Sequence, residues 1–261
     1  PIMIRVKIWN VLNNFLMRRI EIMQIIHKHI EGLPLYCIQQ NKNTTNGAVL
    51  ILGNAYGIMP YQAPLAQMLA ERGIKPYWFA FSGQEGTEGT YSLQSGVQNI
   101  KIAYDYLSNL IGDKPLYIIA HCASSIMTLE FLNQNSFNHV EKLIIYGLLF
   151  NPNRRKGFAL QKFKECGVQE SIKETDWSYN PLQAISNIQI PILFCHAKDK
   201  LNLFRAREEE MERVVGVAKN AEIKWFDKGY DNDLEPLPDY ADCYYSFLTL
   251  QSREMIAAEV A

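Results

Sequence analysis

"LYIIAHCASSIMTLEFL", residues 116–132, decides how the chain is read. Its first five residues, Leu116 to Ala120, form a continuous apolar run of the kind that fills a strand covered on both faces. From Ser125 to Leu132 the apolar residues recur at helical spacing. Almost nothing separates the two patterns. The chain therefore turns from strand to helix across a very short corner, and Cys122 stands on it.

The same rhythm extends in both directions. Apolar runs at 48–52, 76–81, 116–120, 142–146, 190–195 and 222–226 read as strands. Helical patterns lie between them, at about 61–72, 93–111, 123–134, 203–219 and 238–250. Most of the strands are apolar throughout rather than alternating, as in a parallel sheet with helices on both sides. Strands that alternate with helices predict an α/β fold with a mostly parallel central sheet. In such sheets the chemistry sits beyond the carboxyl ends of the strands.

Composition sets the outer limits. A chain of 261 residues, 48% hydrophobic, can bury a sizeable core. Its net charge of −1 offers no basis for nucleic-acid binding. Five cysteines with no CxxC pair fit a reducing cytosol better than a disulfide framework, so a cytoplasmic protein is expected. No apolar run approaches ~18 residues, and the first residues lack the ordered features of a signal peptide. Neither a metal site nor a cofactor is predicted.

Two segments stand apart from the rhythm. Residues 2–31 carry Ile4, Ile8, Leu12, Phe15, Ile22, Ile26 and Ile30 at helical spacing, with Arg5, Lys7, Arg18, Arg19 and Lys28 on the polar side. They predict an N-terminal helical segment, 1–45, packed on a core of 46–261. The alternative is a basic amphipathic surface for peripheral contact with a membrane or an acidic carrier protein. The second segment, 151–188, is long for a connection between two strands and reads as a short cap insertion. It holds Arg154, Arg155 and Lys156. These form either a solvated charge run or a contact for the phosphate of a coenzyme A or phosphopantetheine substrate.

The corner at Cys122 has the pattern small-x-nucleophile-x-small, Ala120-His121-Cys122-Ala123-Ser124. A strand feeding straight into a helix holds the turn side chain up at the end of the sheet. The helix N-terminus then aims backbone N–H groups at whatever binds there. That is the geometry of a nucleophile elbow, and small flanks suit it because the backbone turns too tightly for large Cβ substituents. The plainer alternative is a buried cysteine at a helix start. An oxyanion hole needs two convergent backbone donors. The candidates are the N–H of Ala123 and the N–H of Ala55, on the loop that follows the 48–52 run.

With these features in place, residues 46–250 resemble the α/β-hydrolase family. Gly53-Asn54 stands where that family often has His-Gly, and "FSGQEGTEGTYS" (81–92) is much like its Gly-x-Gly-x-Ser loop. "FCHAKDK" (194–200) puts Asp199 at the position of the acid. Size and cap look closest to acyl-thioester hydrolases and acyl transferases. A cysteine nucleophile is the family's minority choice. The family histidine follows the last strand, and there this chain has "WFDKGYDNDLEP" (225–236), with Tyr230 at the matching position. No histidine follows His196.

The departure shapes the expected chemistry. A free thiol of pKa ~8.5 is already a few per cent thiolate at neutral pH, and a helix N-terminus lowers that value. Thioester exchange onto Cys122 needs no strong base, whereas deacylation by water does. The expected function is therefore an acyl transferase or cyclising/condensing enzyme, acting on an acyl thioester of coenzyme A or an acyl carrier protein. Cys122 would be the nucleophile, Asp199 a relic, a hydrogen-bond partner of Tyr230 or itself a proton acceptor, and Tyr230 an acid or orienting group; the alternative for Tyr230 is a packed loop aromatic. A thioesterase with a rearranged triad, using His196 or an activated water, is the second reading. A non-catalytic binding protein is the third.

Overall fold

The computed structural model describes residues 25–39, 46–55, 57, 61–84, 86–134, 137–198, 206–230 and 234–250. Eight strands form one sheet: β1 (Ile25–Ile30), β2 (Leu33–Ile38), β3 (Ala48–Leu52), β4 (Lys75–Phe79), β5 (Leu116–His121), β6 (Val140–Tyr146), β7 (Ile192–Ala197) and β8 (Ala221–Phe226). Their spatial order is β1-β2-β4-β3-β5-β6-β7-β8. The β1–β2 and β2–β4 pairs are antiparallel, and every other pair is parallel. β3, β5 and β7 are buried along their whole length, as their unbroken apolar sequences require.

Eight helices accompany the sheet in the described residues: α1 (Gln62–Glu71), α2 (Leu93–Ile111), α3 (Ala123–Gln134), α4 (Lys156–Glu165), α5 (Glu174–Trp177), α6 (Pro181–Ser186), α7 (Glu208–Val217) and α8 (Leu237–Thr249). Strand alternation splits the core in two. Leu50, Ile118, Leu143 and Phe194 face the layer of α2, α3, α6 and α7. Val49, Ile51, Ile119, Ile144 and Cys195 face α1 and α8. α2 opens on a capping box in which Ser92 and Ser95 satisfy each other's backbone N–H groups. Midway along the first two turns of α2, Gly96 lets α3 approach: a Cβ there would lie 2.2 Å from Met127 Sδ.

The N-terminal expectation needs correction. Residues 25–38 are not helical; they form the hairpin β1–β2 and extend the central sheet. The two residues between the strands, Glu31 (φ 47°) and Gly32 (φ 80°), both adopt positive φ. That pairing makes a two-residue turn whose twist matches its strands. Ile22, Ile26 and Ile30 recur every fourth residue, which imitates a helix face. The turn chemistry and cross-strand pairing override that spacing. Residues 1–24, which carry the proposed basic surface, lie outside the described residues. No described helix is long and apolar enough to cross a membrane.

Residues 151–188 hold a 3-10 turn, Pro152–Arg155, followed by α4, α5 and α6. The segment is laced to the glycine-rich loop after β4. Tyr91 N–H donates to Gln169 O at 2.6 Å, Gln169 N–H to Gly83 O at 2.7 Å, and Ser171 N–H to Tyr91 O at 2.9 Å. Gly83 permits this approach, because a Cβ there would stand 2.4 Å from both Gln169 O and Tyr91 N.

Candidate active site

Cys122 occupies the corner between β5 and α3 with φ 54°, one of two non-glycine residues of positive φ among those described. A left-handed conformation costs an L-residue roughly 1–2 kcal/mol, so something must hold it. Both backbone polar groups of Cys122 are engaged. Its N–H donates to Tyr146 O at 3.0 Å, and its carbonyl accepts from Ser125 N–H at 3.0 Å and from the Ser125 hydroxyl. The thiol is half-exposed. Ser124, fully buried, locks the other side of the turn. Its Oγ accepts from His121 N–H at 2.8 Å and lies 3.0 Å from His121 O and 3.1 Å from Leu52 O.

The parallel register places Leu52 beside Ala120. Ala55 and Ala123 each lie three residues past that matched pair, at the carboxyl ends of adjacent strands. Ala123 is the first residue of α3, so its N–H has no carbonyl one turn back to bond. The loop carrying Ala55 is braced by Gln84. The Gln84 side chain donates to Asn54 O at 3.0 Å and accepts from Phe81 N–H at 2.8 Å. On the strand side Gly53 makes room for Gln62, whose amide lies 2.9 Å from where a Cβ would sit. Sequence reasoning missed Gln84, Gln62 and the double duty of Ser124. Gln84 stands in the glycine-rich loop, Gln62 and Ser124 in the first turns of helices, and no local pattern marks any of them.

Over the start of α3 lies an apolar cavity of about 70 Å³. Ala123, Ile126, Met127, Phe163, Trp177 and Tyr91 are among its lining residues. One carboxylate, Asp176, reaches its rim, and this group also accepts the Lys173 N–H at 3.0 Å. The cavity thus joins the elbow helix to the 151–188 segment. Of the aromatic residues near the carboxyl ends of the strands, Tyr91 and Trp177 line it. Tyr61 and Phe81 are core residues, and Tyr179 is packed against the core. Tyr56 lies outside the described residues.

Tyr230 is placed differently from its expected role as an acid. It is fully buried in the α1/α8 layer, stacked on Tyr146 at 4.3 Å and 18°, and edge-on to Tyr240. Its hydroxyl lies 3.2 Å from that of Tyr244, whose own ionisation burial pushes far up. This is the packed-aromatic arrangement. His121 joins the same layer, stacked on Tyr146 at 4.7 Å. His196 is buried near the end of β7, next to Trp225 in the neighbouring strand. His27 and His29 sit on the exposed strand β1 instead of a surface helix. Asp199 lies outside the described residues.

Arg154 is also engaged. Its guanidinium pairs with the Glu210 carboxylate, which in turn caps α7 by accepting Arg207 N–H at 2.7 Å. Lys156 rests over the Trp177 ring at 5.6 Å. The side chain of Arg155 lies outside the description.

The strand order, the parallel core and the strained corner after β5 together define the α/β-hydrolase fold. Solved structures carry the same architecture. The chain is similar to AbyA5 (TM-score 0.65, 10% identity, covering 97% of this chain and 78% of that one). It is similar to a thioesterase domain from the curacin biosynthetic pathway (TM-score 0.59, 13% identity, 87% and 99%). It is also similar to the serine hydrolase CCSP0084 from the polyaromatic hydrocarbon-degrading bacterium Cycloclasticus zankles (TM-score 0.65, 15% identity, 86% and 97%). No family model and no curated protein matches the sequence. At these identities the neighbours establish the fold and leave the chemistry to the site.

Proposed function

We propose that this protein is an acyl-transfer enzyme that carries its acyl group on Cys122. The observation behind the reading is the corner itself: a half-exposed thiol held at φ 54° by two backbone hydrogen-bonded anchors, at the N-terminus of α3. A structural cysteine gains nothing from that strain, whereas a nucleophile gains approach to its target.

In the first step the Cys122 thiolate attacks the carbonyl carbon of an acyl thioester. The carbonyl π electrons move to oxygen, which the N–H groups of Ala123 and Ala55 receive. Collapse expels the donor thiolate and leaves an acyl-Cys122 thioester. One thioester replaces another, so little base is required. In the second step an amine, hydroxyl or carbanion attacks and the Cys122 thiolate leaves. The acyl group lies in the cavity lined by Ala123, Ile126 and Met127. That cavity is lined mainly by apolar side chains, which suits an apolar acyl group. Tyr230 supports the elbow from behind through Tyr146, whose carbonyl holds Cys122.

Intact-mass spectrometry with short-chain acyl-coenzyme A thioesters tests this. The expected result is a single acyl adduct that persists in buffer, is lost on adding an amine acceptor, and is absent in Cys122→Ala. Rapid release of free acid would instead assign a thioesterase. Absence of any adduct, with full ligand binding retained, would assign a binding protein.

A further inference from the structure

The outer edge of the sheet carries a pair of histidines that acyl transfer leaves unused. His27 and His29 stand two residues apart on β1. Their side chains therefore leave the same face of the strand, from Cα atoms about 6.6 Å apart. Both residues are exposed, and their ring centroids lie 4.4 Å apart with the planes at 64°. We propose that this pair is a bidentate site for a divalent late transition-metal ion, copper(II) or nickel(II).

The spacing of the rings fits such an ion. An imidazole nitrogen sits about 2.0–2.1 Å from the metal it binds, so two imidazoles meeting at a right angle hold their centroids about 4.5 Å apart. A tetrahedral angle would spread the centroids to about 5.1 Å. The observed 4.4 Å matches the right angle, which belongs to the square-planar and tetragonal nitrogen sites of copper(II) and nickel(II). Both rings are exposed, so turning their nitrogens toward a shared ion needs side-chain rotation and no movement of the strand.

The neighbours suit the role. On β2, Tyr36 opposes His27 and Pro34 opposes His29, so no charged side chain stands across from the pair. Tyr36 stacks on His27 at 4.9 Å and 16°, and on the buried Trp78 at 5.8 Å and 17°. This stack steadies one ring by its face and leaves the nitrogens on its edge accessible. Lys28, between the two histidines, points to the opposite face. Among the described residues no group of three or more His, Cys, Asp or Glu could hold a metal, so water fills the remaining positions and the site is open to exchange. In the sheet order β1 lies four strands from β5, so the ion would sit about 19 Å from the elbow, outside the acyl-transfer site.

The test titrates the untagged full chain, its accessible thiols blocked with iodoacetamide, with nickel sulfate in a calorimeter. The expected result is one nickel ion per chain. His27→Gln and His29→Gln should each weaken binding by at least about tenfold, because the surviving imidazole has lost its chelate partner. His139→Gln should bind as wild type does. Copper(II) should bind more tightly than zinc, and its paramagnetic resonance spectrum should show nitrogen ligands that are lost from the double variant. Both positions are exposed, so circular dichroism should show the variants folded. Either single variant binding nickel within about twofold of wild type overturns the proposal. So does the absence of nickel binding, or two ions of equal affinity per chain, one on each histidine.

Discussion

Ser124 Oγ stands 3.1 Å from the Leu52 carbonyl and accepts the His121 N–H at 2.8 Å, so one buried hydroxyl joins the elbow to the strand that leads into the Ala55 loop. Ser124→Ala removes the buried hydroxyl that accepts the His121 N–H. The expected cost is about 1–3 kcal/mol, read by denaturant unfolding. Because the hydroxyl also sets the spacing between the two candidate oxyanion donors, acylation of Cys122 should slow by more than the folded fraction falls. An acylation rate that simply tracks folded protein would remove Ser124 from the site.

Gly83 carries a second geometric demand. Its φ is +81°, and an added methyl would meet Gln169 O and Tyr91 N at 2.4 Å. Gly83→Ala should destabilise by at least about 2 kcal/mol. The damage should be local. Amide exchange should accelerate at Tyr91, Gln169 and Ser171, which lace the 151–188 segment to the loop, while β3 and β5 amides stay protected. Uniform acceleration across the sheet would contradict a local role for Gly83.

These sites show what the sequence could and could not disclose. The strands β3 to β7 were legible because each is largely an apolar run buried on two faces, β8 was legible from a shorter run with Glu222 and Lys224 exposed, and the corner at Cys122 followed from the abrupt change of period. The β1–β2 hairpin was not, because Ile22, Ile26 and Ile30 share a helical spacing and the deciding feature is the pair of positive φ angles at Glu31 and Gly32. The candidate site was half legible. Cys122 was read from the strand-to-helix corner, Ala123 as the residue that follows it, and Ala55 from the loop after the 48–52 run. Ser124, Gln84 and the resting place of Tyr230 depend on contacts with residues 14 to 72 positions away, which no local pattern carries.

Tyr230 supplies a direct test of that distinction. Tyr230→Phe keeps the stack on Tyr146 and loses the hydroxyl contact with Tyr244, for about 0.5–1.5 kcal/mol. Acylation of Cys122 should be unchanged. Tyr230→Ala opens a cavity in the aromatic layer and should cost about 3–5 kcal/mol. If Tyr230→Phe folds normally yet loses activity by more than tenfold, the hydroxyl has a chemical role after all.

Alkaline pH should unfold this protein through its buried tyrosines. Burial pushes Tyr117 up to about 12, with Glu141 adding to it, and burial likewise raises Tyr77, Tyr179 and Tyr244. A group whose folded pKa is raised lends stability below its unfolded pKa and loses it as pH climbs toward the folded value. Lys142 works in the opposite sense: its pKa is lowered by burial, so its penalty eases as pH rises. The buried tyrosines, joined by the thiols of Cys37 and Cys195 that burial also raises, outweigh the one lysine. Stability should begin to fall above about pH 8.5, the ordinary thiol range, and fall more steeply above about pH 10, the ordinary tyrosine range. Tyrosinate absorbance should appear in step with the loss of circular dichroism. Full titration with native structure intact would contradict the burial of these hydroxyls.

The Arg154–Glu210 pair separates a structural cation from a phosphate contact. With side chains largely buried, the pair joins the 3-10 turn of the 151–188 segment to the start of α7. Removing one partner leaves the other charge poorly solvated. Arg154→Met should therefore cost about 1–2 kcal/mol, less than a fully buried pair because some solvent reaches both groups. Glu210→Gln should cost a similar amount, and the double variant should cost less than the sum. Affinity for coenzyme A should be the same in Arg154→Met as in wild type, because the guanidinium already has its anion. A loss of more than tenfold in that affinity, with stability unchanged, would return Arg154 to the substrate.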